Sequence, residues 1–212
     1  PEYEVIVVGA GGHGLATAYY LAKEHGITNV AVLDKGWLGG GNTARNTTVI
    51  RSNYLLPETI KLFGFSHRLW KGLSQELNFN VMFSPRGILN LAHSRSEMHA
   101  MTRNHYALVT QGNDSHLLDT AEVKKFVPIL NTSSTARFPI KGGLLQRTAG
   151  TARHDAVAWG FARSVDNLGV DIIENCPVTG VIRNQGVVEG VDTSRGIIRA
   201  KKVAIAVAGH ST

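Results

Sequence analysis

The chain has 212 residues, of which 43% are apolar and 18% charged. This is ordinary globular composition, with length for one large domain or two small ones. The net charge of +6 comes from scattered basic residues, not from a block, and the single Cys176 rules out an internal disulfide.

No apolar run approaches the roughly 18 residues that a membrane helix needs. No basic segment precedes the apolar run at Val5, so no signal peptide is read, and a cytoplasmic location is expected. Aromatic residues are 7% of the chain and no RNP-like or helix-turn-helix pattern occurs, so no nucleic-acid role is expected. The nine histidines form no metal pattern: His99 and His105 lack a completing Cys or carboxylate set, and no metal is expected.

The first element, EVIVVG at 4–9, is a short β-branched run ending in glycine, the composition of a buried parallel strand. GAGGHG follows and places Gly9, Gly11 and Gly14 in the G-x-G-x-x-G pattern. Next comes LATAYYLAKEHG, a helix closed by Gly26, and then NVAVLDKG, a second strand with Asp34 at its end. In this strand–turn–helix–strand–acid order the glycines have separate physical tasks. Gly9 permits the tight turn, Gly11 lets a pyrophosphate approach the backbone, and Gly14 lets helix and strand pack closely. Amides at the helix N-terminus face the phosphate charge. Asp34 can accept from a ribose hydroxyl and would repel a 2′-phosphate, so an NADP-type ligand is disfavoured.

Between FAD and NAD, the next stretch is the guide. KGWLGGGNTARNTTVIRSNY at 35–54 does not enter another helix–strand repeat. It is a loop of glycine and small polar residues with Arg45 and Arg51, and it can lie along an extended flavin dinucleotide. The alternative is a flexible surface loop.

A helix is expected within 58–78, two short strands around a Pro85–Gly87 turn within 81–92, and a helix over 95–111. DTAEVKKFVPIL at 119–130 starts with a cap residue and an acidic first turn and breaks at Pro128; GGLLQR at 142–147 is a strand. In TARHDAVAWGFARSVDNLG, Asp155 is the expected N-cap of a helix. Several short strands follow, with turns at Asn184–Gly186 and Ser194–Gly196.

The stretches VVGAGGHGLATAYYLAKEHGITNVAVLDKG, GGGNTARNTTVIRSNYL, NVMFSPRGILNLAH, TARHDAVAWGFAR and KVAIAVAG resemble the β subunits of heterotetrameric sarcosine oxidases. These belong to the amine-oxidising flavoproteins that include D-amino-acid oxidase and monomeric sarcosine oxidase. The resemblance implies an α/β chain: a Rossmann-like FAD-binding domain interleaved with part of an α+β substrate domain. The expected division is 1–80 for the first part of the FAD domain, 81–147 for the partial substrate domain and 148–212 for the return. It implies noncovalent FAD along Gly9, Gly11, Gly12, Gly14, Asp34 and Lys35, and along Gly40, Gly41, Asn42, Thr43, Arg45, Asn46 and Thr48. Val178 resembles the position whose backbone meets the adenine, and Ala208 and Gly209 the Ala-Gly that passes close to the cofactor.

The resemblance also implies site roles. Arg51 matches the position where an arginine pairs with the substrate carboxylate; a surface or phosphate-binding arginine is the alternative. Thr48 stands where monomeric sarcosine oxidase has another arginine over the flavin face, which agrees with FAD passing its electrons to a second flavin. His154 matches the histidine that carries FMN covalently, through the methyl carbon at position 8. The implied reaction is oxidation of sarcosine to an imine, with electrons passing to FAD, then FMN, then oxygen, giving peroxide. The implied partners are α, γ and δ subunits, with a tetrahydrofolate site on the α subunit. The family's subunit is considerably longer, so the chain is expected to be an N-terminal portion without turnover by itself. A dehydrogenase for a related cyclic or N-methyl amino acid, and a non-catalytic nucleotide-binding assembly module, are the other readings.

Overall fold

In chain order the strands and α-helices are β1 (Glu2–Val8), α1 (Gly12–His25), β2 (Val30–Leu33), β3 (Val49–Ile50), α2 (Pro57–Glu76), β4 (Ile88–Ala92), α3 (Arg95–Thr110), β5 (His116–Leu118), α4 (Thr120–Phe126), β6 (Gly142–Gln146), β7 (Gly150–Thr151), α5 (His154–Asn167), β8 (Asp171–Ile173), β9 (Val178–Asn184), β10 (Val187–Thr193) and β11 (Ile198–Ile205). The computed structural model describes residues 2–210. Contacts divide the chain into two units. The first is Pro1–Thr48, Ser74–Val81 and Arg153–Thr212; the second is Val49–Leu73 and Met82–Ala152. Residues 49–73 therefore cluster with the second unit, whereas the sequence reading places them in the first part of the FAD domain.

The first unit is built on a six-stranded sheet in the order β8-β2-β1-β11-β10-β9. Strand β1 pairs in parallel with β2 and β11, and β2 with β8; β9 and β10 complete the sheet as an antiparallel hairpin. β2 is buried along its whole length, which is why it reads as an unbroken apolar run and not an alternating one. On one side, Ile6, Ala31 and Leu33 pack with Val191, Ile198 and Ala200. α1 buries Leu15, Ala18, Tyr19 and Ala22, and Tyr19 meets Phe161 of α5 edge-on at 5.5 Å. α1 ends as expected at Gly26, whose φ of 65° is left-handed and whose amide closes onto the Ala22 carbonyl.

The second unit holds an antiparallel sheet in the order β4-β6-β5, with β6 buried throughout at its centre. α4 has the expected start: Asp119 and Glu122 form a reciprocal capping box. α3 starts with another, Ser94 with Glu97. The expected pair of strands around Pro85–Gly87 is not formed. Only Ile88–Ala92 is a strand, and it pairs with β6; Ser84 makes a lone bridge to Thr151. The cause is local: Met82 has φ 54°, which breaks an extended run, and the Gly87 amide is taken by the Ala149 carbonyl.

Among the described residues no helix is long and apolar enough to cross a membrane, and no cluster of His, Cys, Asp or Glu could hold a metal ion.

Candidate dinucleotide and substrate sites

At the carboxyl end of β1 the chain turns through Gly9, whose φ is +108°. A side chain there would be strained, and its Cβ would lie 2.6 Å from the Ala206 carbonyl oxygen. A Cβ on Gly14 would overlap the Gly9 carbonyl oxygen, so α1 can sit this close to its strand only with glycine at that position. α1 begins at Gly11 as N-cap with no side-chain cap and no acidic residue in its first turn. Its positive end is thus open to an anion, with one qualification. Gly12 N already donates to Thr43 Oγ1 at 2.9 Å, so the loop supplies a partner for one amide that the sequence reading left to the phosphate.

Asp34 stands at the end of β2 and ties the two turns together. Its Oδ2 accepts from Ala10 N at 2.8 Å and its Oδ1 from Gly36 N at 2.9 Å. A carboxylate has about four acceptor directions, so sites remain for a ribose hydroxyl.

These elements line a cavity of about 660 Å³ within the first unit. Of the predicted contacts, Gly9, Gly11, Gly12, Asp34, Lys35, Gly40, Gly41, Asn42, Thr43, Arg45, Val178 and Ala208 line it. Gly14 lies behind the wall and packs the helix. Asn46 and Thr48 shape the loop instead: Asn46 Nδ2 donates to Thr43 O at 2.5 Å and Thr48 N to Asn46 Oδ1 at 2.6 Å. Gly209 is not among the lining residues and forms part of a 3-10 turn, Ala208–His210. Arg45 turns back on its own loop, donating to Gly40 O at 2.7 Å.

His13, Trp37 and Cys176 also line the cavity and were missed by sequence reasoning. Trp37 is 66% exposed. Cys176 comes in because its amide donates to Asp34 O at 2.8 Å, a link between distant strand ends that no sequence pattern marks. The wall carries Lys35 and Arg45 against Asp34, a balance that favours a diphosphate. Glycines that a Cβ would fill, an uncapped helix end and an acid at the strand end fit a dinucleotide.

Arg51 belongs to the second unit. Its Nη1 donates to Asn53 Oδ1 at 2.7 Å, and the guanidinium lies 4.5 Å from the Tyr54 ring centroid.

His154 is the first residue of α5, and its Nδ1 is buried without a hydrogen-bond partner. Asp155 is not the N-cap. Arg153 occupies that position, with no side-chain cap bond, and Asp155 lies inside the first turn. The reason is a competing partner: Arg153 grips Asp155 through Nε at 2.9 Å and Nη2 at 2.7 Å. This bidentate bond pulls the Asp155 carboxyl down to about 2. Arg153, which precedes His154 in the chain, is thereby committed to Asp155.

Similarity to known proteins agrees with the dinucleotide fit of the cavity. The chain is 59% identical to sarcosine oxidase subunit beta of Rhizobium meliloti over 212 residues, all of this chain and 51% of that protein. It is 53% identical to sarcosine oxidase subunit beta of an Arthrobacter species, covering 52% of it. The chain thus spans about half the length of these curated relatives. Among solved structures, L-proline dehydrogenase from P. horikoshii superposes with a TM-score of 0.88 at 28% identity, over 97% of this chain and 52% of that one. Residues 4–212 match the family model described as DAO, FAD dependent oxidoreductase, and the chain belongs to that family.

Proposed function

We propose that the chain supplies the FAD site and part of the substrate site of a sarcosine-oxidising flavoprotein subunit. The observation that carries the reading is the cavity: a glycine turn without room for side chains, an uncapped helix end, Asp34, and two cations in the wall. Gly9, Gly11 and the amino end of α1 hold the diphosphate, and Asp34 accepts from a ribose. When bound, FAD supplies the acceptor for the two electrons lost as the amine becomes an imine, and water then releases formaldehyde and glycine. Arg51 holds the substrate carboxylate by a bidentate guanidinium contact.

The electron route through a second flavin and on to oxygen, forming peroxide, belongs to the same proposal. His154 is its attachment point, and the buried, unpartnered Nδ1 supports a group reserved for a ligand. The α, γ and δ partners, a tetrahydrofolate site on the α subunit, a cytoplasmic location and inactivity of these residues alone also stand as proposals. An FAD part over Pro1–Thr48, Ser74–Val81 and Arg153–Thr212, and a substrate part over Val49–Leu73 and Met82–Ala152, belong to the same proposal and are supported by the contact units.

A second reading is a dehydrogenase for a related amino acid, favoured by the superposition on L-proline dehydrogenase. Stopped-flow reduction of the flavin in the complete complex by sarcosine, proline and hydroxyproline separates the two. Fastest reduction by sarcosine is expected; faster reduction by proline overturns the substrate assignment, and colourless protein that takes up no FAD overturns both. Denatured complex should retain FMN on the peptide containing His154 by mass spectrometry, and bare peptide would remove the attachment.

A further inference from the structure

We infer that Asn53 is a positioning residue: its neutral amide holds the Arg51 guanidinium in place while leaving that charge free for a substrate carboxylate. This rests on reading Arg51 as the carboxylate partner. Asn53 is 6% exposed, so its amide needs partners on both ends. It has them. Oδ1 accepts from Arg51 Nη1 at 2.7 Å, and Nδ2 donates to Asn90 Oδ1 at 2.8 Å. The amide cannot flip without setting two acceptors against each other and two donors against each other.

The surroundings fix the rest of the arginine. Its guanidinium lies 4.5 Å from the centroid of the Tyr54 ring, and that ring stacks on Phe63 at 3.9 Å. Between Arg51 and Asn53, Ser52 is pinned to Gln146 twice: its amide donates to Oε1 at 3.0 Å and its Oγ accepts from Nε2 at 2.7 Å. The backbone that carries Arg51 therefore cannot drift.

The chemistry of the partner decides what this arrangement is for. A guanidinium offers five N–H donors, and Asn53 takes one. Among the described residues no acidic side chain forms an ion pair with Arg51. An acid in the place of Asn53 would orient the arginine equally well but would cancel its charge. A neutral acceptor orients without cancelling, so the charge-assisted bidentate bond is kept for an anionic substrate group.

The test uses the complete, assembled enzyme, with KM and kcat for sarcosine and inhibition by acetate as a carboxylate without the amine. Arg51→Ala is the control and should raise KM about a hundredfold. Asn53→Ala should raise KM and the acetate inhibition constant about tenfold, with kcat within about twofold, as for an interaction that binds ground and transition states alike. Asn53→Asp is the discriminating variant. A residue that only fills space tolerates this near-isosteric change, whereas the inference requires it to weaken sarcosine and acetate binding more than Asn53→Ala does. If Asn53→Ala does not fold, Asn90→Ala tests the same chain one bond further and should raise KM in the same direction. An Arg51→Ala enzyme with unchanged KM sinks the reading of Arg51. A raised KM there, with Asn53→Asp behaving like the natural enzyme, sinks the role of Asn53 alone.

Discussion

Around the glycine turn the groups that shape the cavity are mostly main-chain amides and carbonyls, joined by one carboxylate and the Thr43 hydroxyl. Around Arg51 they are side chains drawn from separate stretches: Asn53, Tyr54 and Phe63 from one, Asn90 and Gln146 from others. The first kind of site tolerates almost no added volume, because backbone meets backbone. The second tolerates volume better but depends on every donor finding its acceptor. The two should therefore fail in different ways.

The largest effect is expected in the first region. Gly14→Ala forces a methyl into the Gly9 carbonyl oxygen and should cost about 3 kcal/mol or more, with loss of FAD, measured by denaturant unfolding and flavin content. In the second region, Gln146→Leu keeps the volume but leaves the buried Ser52 amide without a partner and removes one of the two partners of its hydroxyl, which still donates to Asn113 Oδ1. It should cost about 1–3 kcal/mol by the same unfolding measurement. A smaller loss than for an exposed substitution would break the contrast between the two regions. Asp34→Ala sits between the two kinds, removing the acceptor for Ala10 N and Gly36 N. A stability loss of about 1–2 kcal/mol is expected, with FAD affinity weakened at least about tenfold by titration.

A pH effect sharpens the comparison. His67 is buried, donates through Nε2 to the Thr148 carbonyl at 2.8 Å, and has its pKa pushed below 6.5, chiefly by burial. Because its folded pKa is depressed, the unfolded chain binds more protons. The contribution is then present above about pH 6.5 and is lost as pH falls through the folded value. Thermal unfolding should ease on going from neutral pH to mildly acidic pH, and His67→Gln should flatten that dependence. The smallest effect is expected at Asp155. Its bond to Arg153 is solvent-exposed, so Asp155→Ala should leave the melting temperature nearly unchanged, even though the pair looks ideal in geometry.

The glycine turn was legible in sequence because its constraint is local. Gly9, Gly11 and Gly14 must lack side chains at fixed spacing wherever strand and helix meet in this way, and Asp34 follows at the end of the next strand. The helix ends were legible for the same reason: Gly26 and Asp119 cap through neighbours a few residues away. The partners of Arg51 were not. Asn53 meets Asn90 across 37 positions and Ser52 meets Gln146 across 94. Nothing in the pattern of single residues marks such pairs. The loop from Asn42 to Thr48 was read as lining when part of it braces itself, because Asn and Thr side chains bond neighbouring backbone as readily as a ligand.

By itself the sequence determined the strand–turn–helix–strand–acid core, the helix stops and the β6 strand, since these follow from hydrophobic period and from where a Cβ is forbidden. Tertiary structure decided which acceptor each long polar side chain took. It turned Asp155 from a helix cap into the partner of Arg153, gave the Gly12 amide to Thr43, joined residues 49–73 to the second unit and set a neutral amide beside Arg51. The physical reason is the same in each case. Local rules fix backbone shape, whereas a flexible polar side chain takes whichever partner folding brings within about 3 Å.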